Sequence, residues 1–206
     1  MPLIRPSDDS TDATAPAVLA QRRVPPVESE VDRRRQAARE LSRDPAALES
    51  LATLLETEPD LRVRDALFGS IVDIGGTPAA ERLARFLRSE DAGLRGGAVE
   101  SMKRLGTDAI IVLDGLLSDP DTDVRILVVE VTRAWPRELA APRLRRVFER
   151  EPHVNVCAAA VDVATEVGTE GLLPALDALR ARFANEPFLG FAIDVACDRI
   201  RGAQGE

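Results

Sequence analysis

From Ser29 onward the apolar residues of this chain fall at helical spacing, and the pattern recurs. Val31, Val63, Leu94, Val124, Val156 and Leu189 each open an amphipathic stretch, at separations of 32, 31, 30, 32 and 33 residues. In the second stretch Leu67, Ile71 and Ile74 continue the stripe, and in the fourth Val128, Val131 and Trp135 do so. Such offsets put the apolar side chains on one face of an α-helix. A second series alternates with the first: Leu51/Leu54/Leu55, Leu83/Phe86/Leu87, Leu113/Leu116/Leu117, Leu144/Val147/Phe148, then Leu176, Leu179 and Phe183. Each unit therefore reads as a leading helix, a short turn and a trailing helix. Alternation of period two is missing, so no strand is expected.

Punctuation residues support this division. Ser29, with Asp32 three residues on, predicts an N-cap for a first helix running to about Arg43. Gly76-Thr77, Gly106-Thr107 and Gly168-Thr169 predict a C-terminal glycine beside an N-cap threonine inside the units. Between units stand Glu58-Pro59-Asp60, Glu90-Asp91, Asp119-Pro120-Asp121, Glu151-Pro152-His153 and Glu186-Pro187. An acidic residue beside proline stops one helix and favours the start of the next. One helix pair cannot hide its apolar stripe alone, whereas stacked pairs share a continuous core. The expected fold is all-α: an α-solenoid of five helix pairs plus a C-terminal capping helix over residues 29–202.

Composition narrows the chemistry. The chain is 45% hydrophobic but only 3% aromatic, without tyrosine, so Leu, Val and Ala must fill the core. Its net charge of −8 argues against nucleic acid, whose affinity grows by neutralising phosphates with Lys and Arg. Cys157, Cys197 and the single His153 cannot furnish a four-ligand zinc site. Neither a metal nor a cofactor is expected. No apolar run approaches the roughly 18 residues of a membrane span, and no secretory leader is visible, so a cytoplasmic protein without a membrane partner is expected. Residues 1–28 read as a disordered arm, with Val18, Leu19 and Arg22-Arg23 as the alternative of a docking peptide, and 203–206 read as a disordered tail.

The acidic turn is followed three or so residues later by Val-Arg or Leu-Arg: Asp60 to Val63-Arg64, Asp91 to Leu94-Arg95, Asp121 to Val124-Arg125. On these residues the units resemble HEAT repeats, and more closely the bacterial HEAT-like repeats named after bilin lyases of the phycobilisome. The first and fifth units depart from the pattern, with Asp32 and Cys157 where the others carry Arg. The resemblance implies a bacterial solenoid, an Asp/Arg ladder that holds units in register, and trailing helices lining a concave face.

Counted at 100° per residue, the outward sites of the trailing helices form three rows. They read Glu49, Glu81, Ile111, Pro142, Pro174; Thr53, Arg85, Gly115, Arg146, Ala178; and Glu56, Arg88, Ser118, Glu149, Ala181. The surface is charged at the N-terminal end and small and apolar from the third unit onward. Ile111 above Gly115 predicts a notch for a partner's side chain, with Arg85, Arg88 and Arg146 at its rim to pair with an acidic group. The alternative is that Ile111 packs between neighbouring trailing helices. At the C-terminus Phe188, Phe191 and Val195 form a row that is polar or small in earlier units. Exposing them forfeits about 1.5–3 kcal/mol per side chain relative to burial, so a cover is expected: the N-terminal arm, the Phe183 region, a second copy forming a homodimer, or another protein.

Other constellations are bland. Arg64, Arg95 and Arg125 are expected to be structural ties. Cys157 and Cys197 lie too far apart for a disulfide and are expected as buried thiols. His153 is expected in a surface turn. Gly75-Gly76-Thr77-Pro78 lacks the lysine and the preceding strand of a phosphate loop. No general acid–base pair stands out. The expected function is a non-catalytic interaction scaffold or adaptor, holding a partner peptide or helix on the concave face, with regulation in bacterial signalling as a candidate setting. The alternative is a bilin-lyase-like enzyme or chaperone, as the family resemblance implies.

Overall fold

The computed structural model describes residues 29–202. Among them are eleven α-helices and no strand. The leading helices are α1 (Glu30–Leu41), α3 (Leu61–Ile74), α5 (Ala92–Leu105), α7 (Thr122–Val131), α9 (Val154–Val167) and α11 (Pro187–Gly202). The trailing helices are α2 (Leu48–Thr57), α4 (Gly76–Ala84), α6 (Ile110–Leu116), α8 (Arg137–Arg150) and α10 (Leu173–Arg182). Leading helices stack one on the next from α1 to α11, and trailing helices form a second layer against them. The chain is thus an all-α solenoid of five helix pairs and a closing helix. The expected arm at residues 1–28 and tail at 203–206 lie outside the described residues.

The two apolar series build the core between the layers. Val63, Leu94, Val124, Val156 and Leu189 are buried at matching places, as are Leu51, Leu83, Leu113, Leu144 and Leu176. Each such side chain contributes about 1.5–3 kcal/mol by leaving water. Val31, Ile74, Leu116 and Phe183 are only partly buried. Leu54 departs further, at 49% exposed, although its counterparts Phe86, Val147 and Leu179 are buried. It lines a shallow apolar cleft of about 150 Å³ with Ala37, Leu41 and Leu67, because α1 is thin in bulky side chains.

Helix starts follow the sequence closely between units. Ser29 accepts from the Asp32 amide, Asp60 from Arg62, Asp91 from Gly93 and Leu94, and Asp121 from Asp123. At α9 the exposed His153 takes the same role, its Nδ1 accepting from the Asn155 amide at 3.3 Å. Within units the expected threonine caps do not form. Thr77 lies inside α4, Thr107 inside a 3-10 turn over Gly106–Ala109, and Thr169 precedes a 3-10 turn without a capping bond. Gly75 and Gly106 turn the corner instead, at φ of 72° and 57°, where a Cβ would be strained. Gly168 is not left-handed. It is needed for space, since a Cβ there would lie 2.3 Å from the Ala164 carbonyl oxygen and 2.8 Å from Ile200 Cδ1.

Candidate functional site: the trailing-helix face

Arginines tie the units together. Arg64 donates to the Glu58 carbonyl at 2.6 Å and to Asp91 Oδ2 at 2.8 Å, bridging consecutive turns. Arg95 donates to the Ser89 and Glu90 carbonyls. Arg125 donates to the Asp119 carbonyl and grips Glu151 through Nε and Nη2 at 2.9 and 3.0 Å. The ladder is therefore structural, as the repeat pattern implies. Glu58, Asp119 and Glu151 are buried, and each receives an arginine from earlier in the chain: Arg34 of α1, Arg88 after α4 and Arg125 of α7 respectively. Their carboxylates also accept the amides of Asp60, Asp121 and His153, so the buried charges are neutralised and hydrogen-bonded.

The fifth unit has Cys157 at the ladder position, and what replaces the missing guanidinium was not foreseeable from the repeat pattern. Arg182, at the end of α10, reaches back to the Glu149 and Glu151 carbonyls at 2.7 and 2.6 Å. It stands 3.7 Å from Cys157 Sγ and stacks over the Phe183 ring. Burial pushes the Cys157 thiol up to about 11, which keeps it protonated. Cys197 is likewise buried, free and raised, also chiefly by burial. The Gly75–Gly76 corner is another inter-unit tie, with the Gly76 amide donating to Asp108 Oδ2 at 2.9 Å.

The outward rows of the trailing helices do face outward. Ile111 is 73% exposed, so it is not packed between its neighbours. A Cβ built on Gly115 would meet nothing within 4 Å, which leaves open space beside Ile111 on the same face of α6. Pro142 and Pro174 are exposed in the adjoining units.

The expected arginine rim needs correction. Arg85 donates to Glu49 Oε1 at 2.8 Å and to Glu56 Oε1 at 2.6 Å, tying α4 to α2. These contacts hold Glu49 below the usual carboxylate range, the Arg85 hydrogen bond being the largest cause. Arg88 is paired with the buried Asp119. Arg146 donates to the Asp114 carbonyl at 3.0 Å and to Ser118 Oγ at 2.7 Å. All three bind other units, because an arginine, with three methylenes and a guanidinium, is long enough to reach across to another repeat. Arg143 adds a bidentate pair to Asp114, 2.8 Å at both nitrogens, while lying over the Trp135 ring.

Arg143 and Arg146 bridge α8 to α6 and the turn that follows it. A cleft of about 350 Å³ opens there, lined by Ser118, Asp119, Arg125, Arg146, Arg150 and Glu151 among others. Arg150, exposed at the end of α8, has no hydrogen-bond or ion-pair partner among the described residues. Sequence reasoning missed it, although its place in the last turn of α8 was available as a signal.

The second expected patch is exposed as drawn. Phe188, Phe191 and Val195 on α11 are 75%, 67% and 39% accessible. Neither Phe183 nor any other described residue covers them. Among the described residues no cluster of three or more His, Cys, Asp or Glu could hold a metal ion, and no helix is long and apolar enough to cross a membrane.

No family model and no curated relative matches the chain. Among solved structures it is similar to a designed armadillo repeat protein in complex with the peptide (KR)4, at 18% identity, covering 84% of this chain and 100% of that one, TM-score 0.44. It is also similar to the complex of CpcE and CpcF of phycocyanin lyase from Nostoc sp. PCC7120, at 19% identity, covering 81% and 73%, TM-score 0.32. The likeness is one of helical-repeat architecture.

Proposed function

We propose that this solenoid is a non-catalytic scaffold of HEAT-like type that holds a partner peptide or helix along its trailing-helix face. One observation carries the reading: Ile111 stands out of the face with open space at Gly115, in a protein whose other α6 apolar residues turn inward. Leaving an isoleucine in water forgoes on the order of 2 kcal/mol, a cost that a bound apolar side chain would recover. Arg85, Arg88 and Arg146 stiffen the wall of this groove instead of reaching for the ligand, and the bound segment lies across Ile111 and Gly115. A second copy of the chain is proposed to meet the α11 row, since Phe188, Phe191 and Val195 at offsets of three and seven form the stripe by which two helices pair.

Substitutions at the notch test the groove without touching the core. Ile111→Glu removes the apolar anchor, and Gly115→Leu fills the notch from a position that tolerates a side chain. Both variants should keep the wild-type helical circular dichroism and melting temperature. Each should lose the partner that the wild type captures from its native lysate by at least about tenfold, the cost of burying an unpaired charge or losing an anchor. Full capture by both variants would overturn the reading.

A further inference from the structure

Arg150 is a cation at this groove that the fold does not use. Around the trailing layer Arg82 and Arg85 hold Glu49, Arg88 holds Asp119, Arg143 and Arg146 hold α6, and Arg182 holds the carbonyls before α9. Arg150 breaks this pattern while lining the 350 Å³ cleft between the turn after α6 and the end of α8. Arg146 lies four residues before it, hence on the same face of α8. The two carboxylates in that cleft, Asp119 and Glu151, are already engaged by Arg88 and Arg125. The mouth of the cleft is therefore locally cationic in a chain of net charge −8. An unpaired guanidinium beside engaged carboxylates is free to form a charge-assisted, bidentate bond with an incoming acid.

We infer that this cleft takes an aspartate or glutamate side chain of the partner, with Arg150 as its counter-charge. The inference rests on the groove reading above and gives it a register. Ile111, Gly115 and Ser118 lie along one face of α6 and the turn that follows, at offsets of four and seven. Seven residues of helix span about 10 Å. Ser118 is bonded to Arg146 at the cleft. A bound segment with an apolar side chain at Ile111 thus presents its acid about 10 Å further on. That is about three residues later in an extended peptide, at about 3.3 Å each, or about seven later in a helix.

The probe is a set of fluorescein-labelled peptides, each bearing one Leu and one Glu separated by two to eight residues in a neutral Ser/Ala background. Gln and phosphoserine replace the Glu in two further sets. Anisotropy with the full chain should show strongest binding at spacings of three or seven, with the Gln set at least about tenfold weaker. Arg150→Glu should remove that preference while leaving affinity for the Gln peptides and the melting temperature unchanged, because Arg150 holds nothing in the fold. Peptides that bind equally with Gln, or a Glu preference that survives Arg150→Glu, overturn the assignment. Binding of the phosphoserine set alone overturns the carboxylate in favour of a phosphoryl group. If Leu-dependent binding persists and is lost with Gly115→Leu, the groove stands while the acid site falls. Absence of binding by every peptide overturns the inference, and the lysate capture by the wild type then decides the groove separately.

Discussion

The first two trailing helices and the later ones use the same positions in opposite ways. On α2 and α4 the outward rows carry Glu49, Glu56, Glu81 and Arg85, and with the neighbouring Arg82 these charges close on one another. On α6, α8 and α10 the rows carry Ile111, Gly115, Pro142, Pro174 and Ala178, with Arg146 drawn back to the bridge between units and Glu149 the exposed charge among them. A surface whose charges satisfy each other has little to offer a partner, because any new contact must first break an existing one. The later surface offers apolar area and, at Arg150, a cation without a partner among the described residues. The difference teaches that charged residues visible in a sequence do not mark a binding face until their partners are known.

The comparison can be broken most severely at the joint between its halves. Gly97 on α5 sits under the Phe68 ring, where a Cβ would lie 2.2 Å from Cε2. Phe68 cannot swing away, since it is buried and meets Phe86 edge-on at 6.1 Å. Gly97→Leu should therefore pry α5 from α3 and cost on the order of 3 kcal/mol. Chemical denaturation checks this, and a split transition would show the charged half separating from the apolar one. An unchanged midpoint would mean that the two halves are not joined through this contact.

A smaller effect sharpens the second half. Phe188→Asp with Phe191→Asp should convert any dimer to a monomer in sedimentation without altering the fold, as both side chains are exposed. A monomeric wild type would leave the trailing face as the one apolar surface used. The smallest effect belongs to the charged half. Glu49 is held low first by its Arg85 hydrogen bond, and Asp91 first by that from Arg64. A carboxylate depressed in the folded state stabilises above its unfolded pKa and loses that contribution as pH falls through the folded value. The melting temperature should be flat from about pH 7 to 5 and decline below about pH 4, where ordinary carboxylates titrate. These groups are solvent-screened, so the decline is modest and shrinks with added salt.

Much of this was legible beforehand, for local reasons. Apolar spacing fixed eleven helices and their pairing, since burial of one stripe per helix dictates both. Asp60, Asp91 and Asp121 as N-caps were legible because capping is decided within four residues. The notch at Ile111 and Gly115 followed from helical geometry alone. What was not legible involved reach: which carboxylate Arg85, Arg88 and Arg146 would find, and that Arg182 would stand in for the arginine absent at Cys157.

The amino-acid sequence by itself determined a stack of helix pairs, their registers and the outward residues of each, because those depend on periodicity and on caps a few residues long. It took the stacked fold to decide which arginines were consumed as bolts between units, and that Arg150 would be left facing an open cleft. The reason is that a guanidinium on a flexible stem chooses among partners some 26 to 36 residues away in the chain, and stacking alone sets those distances.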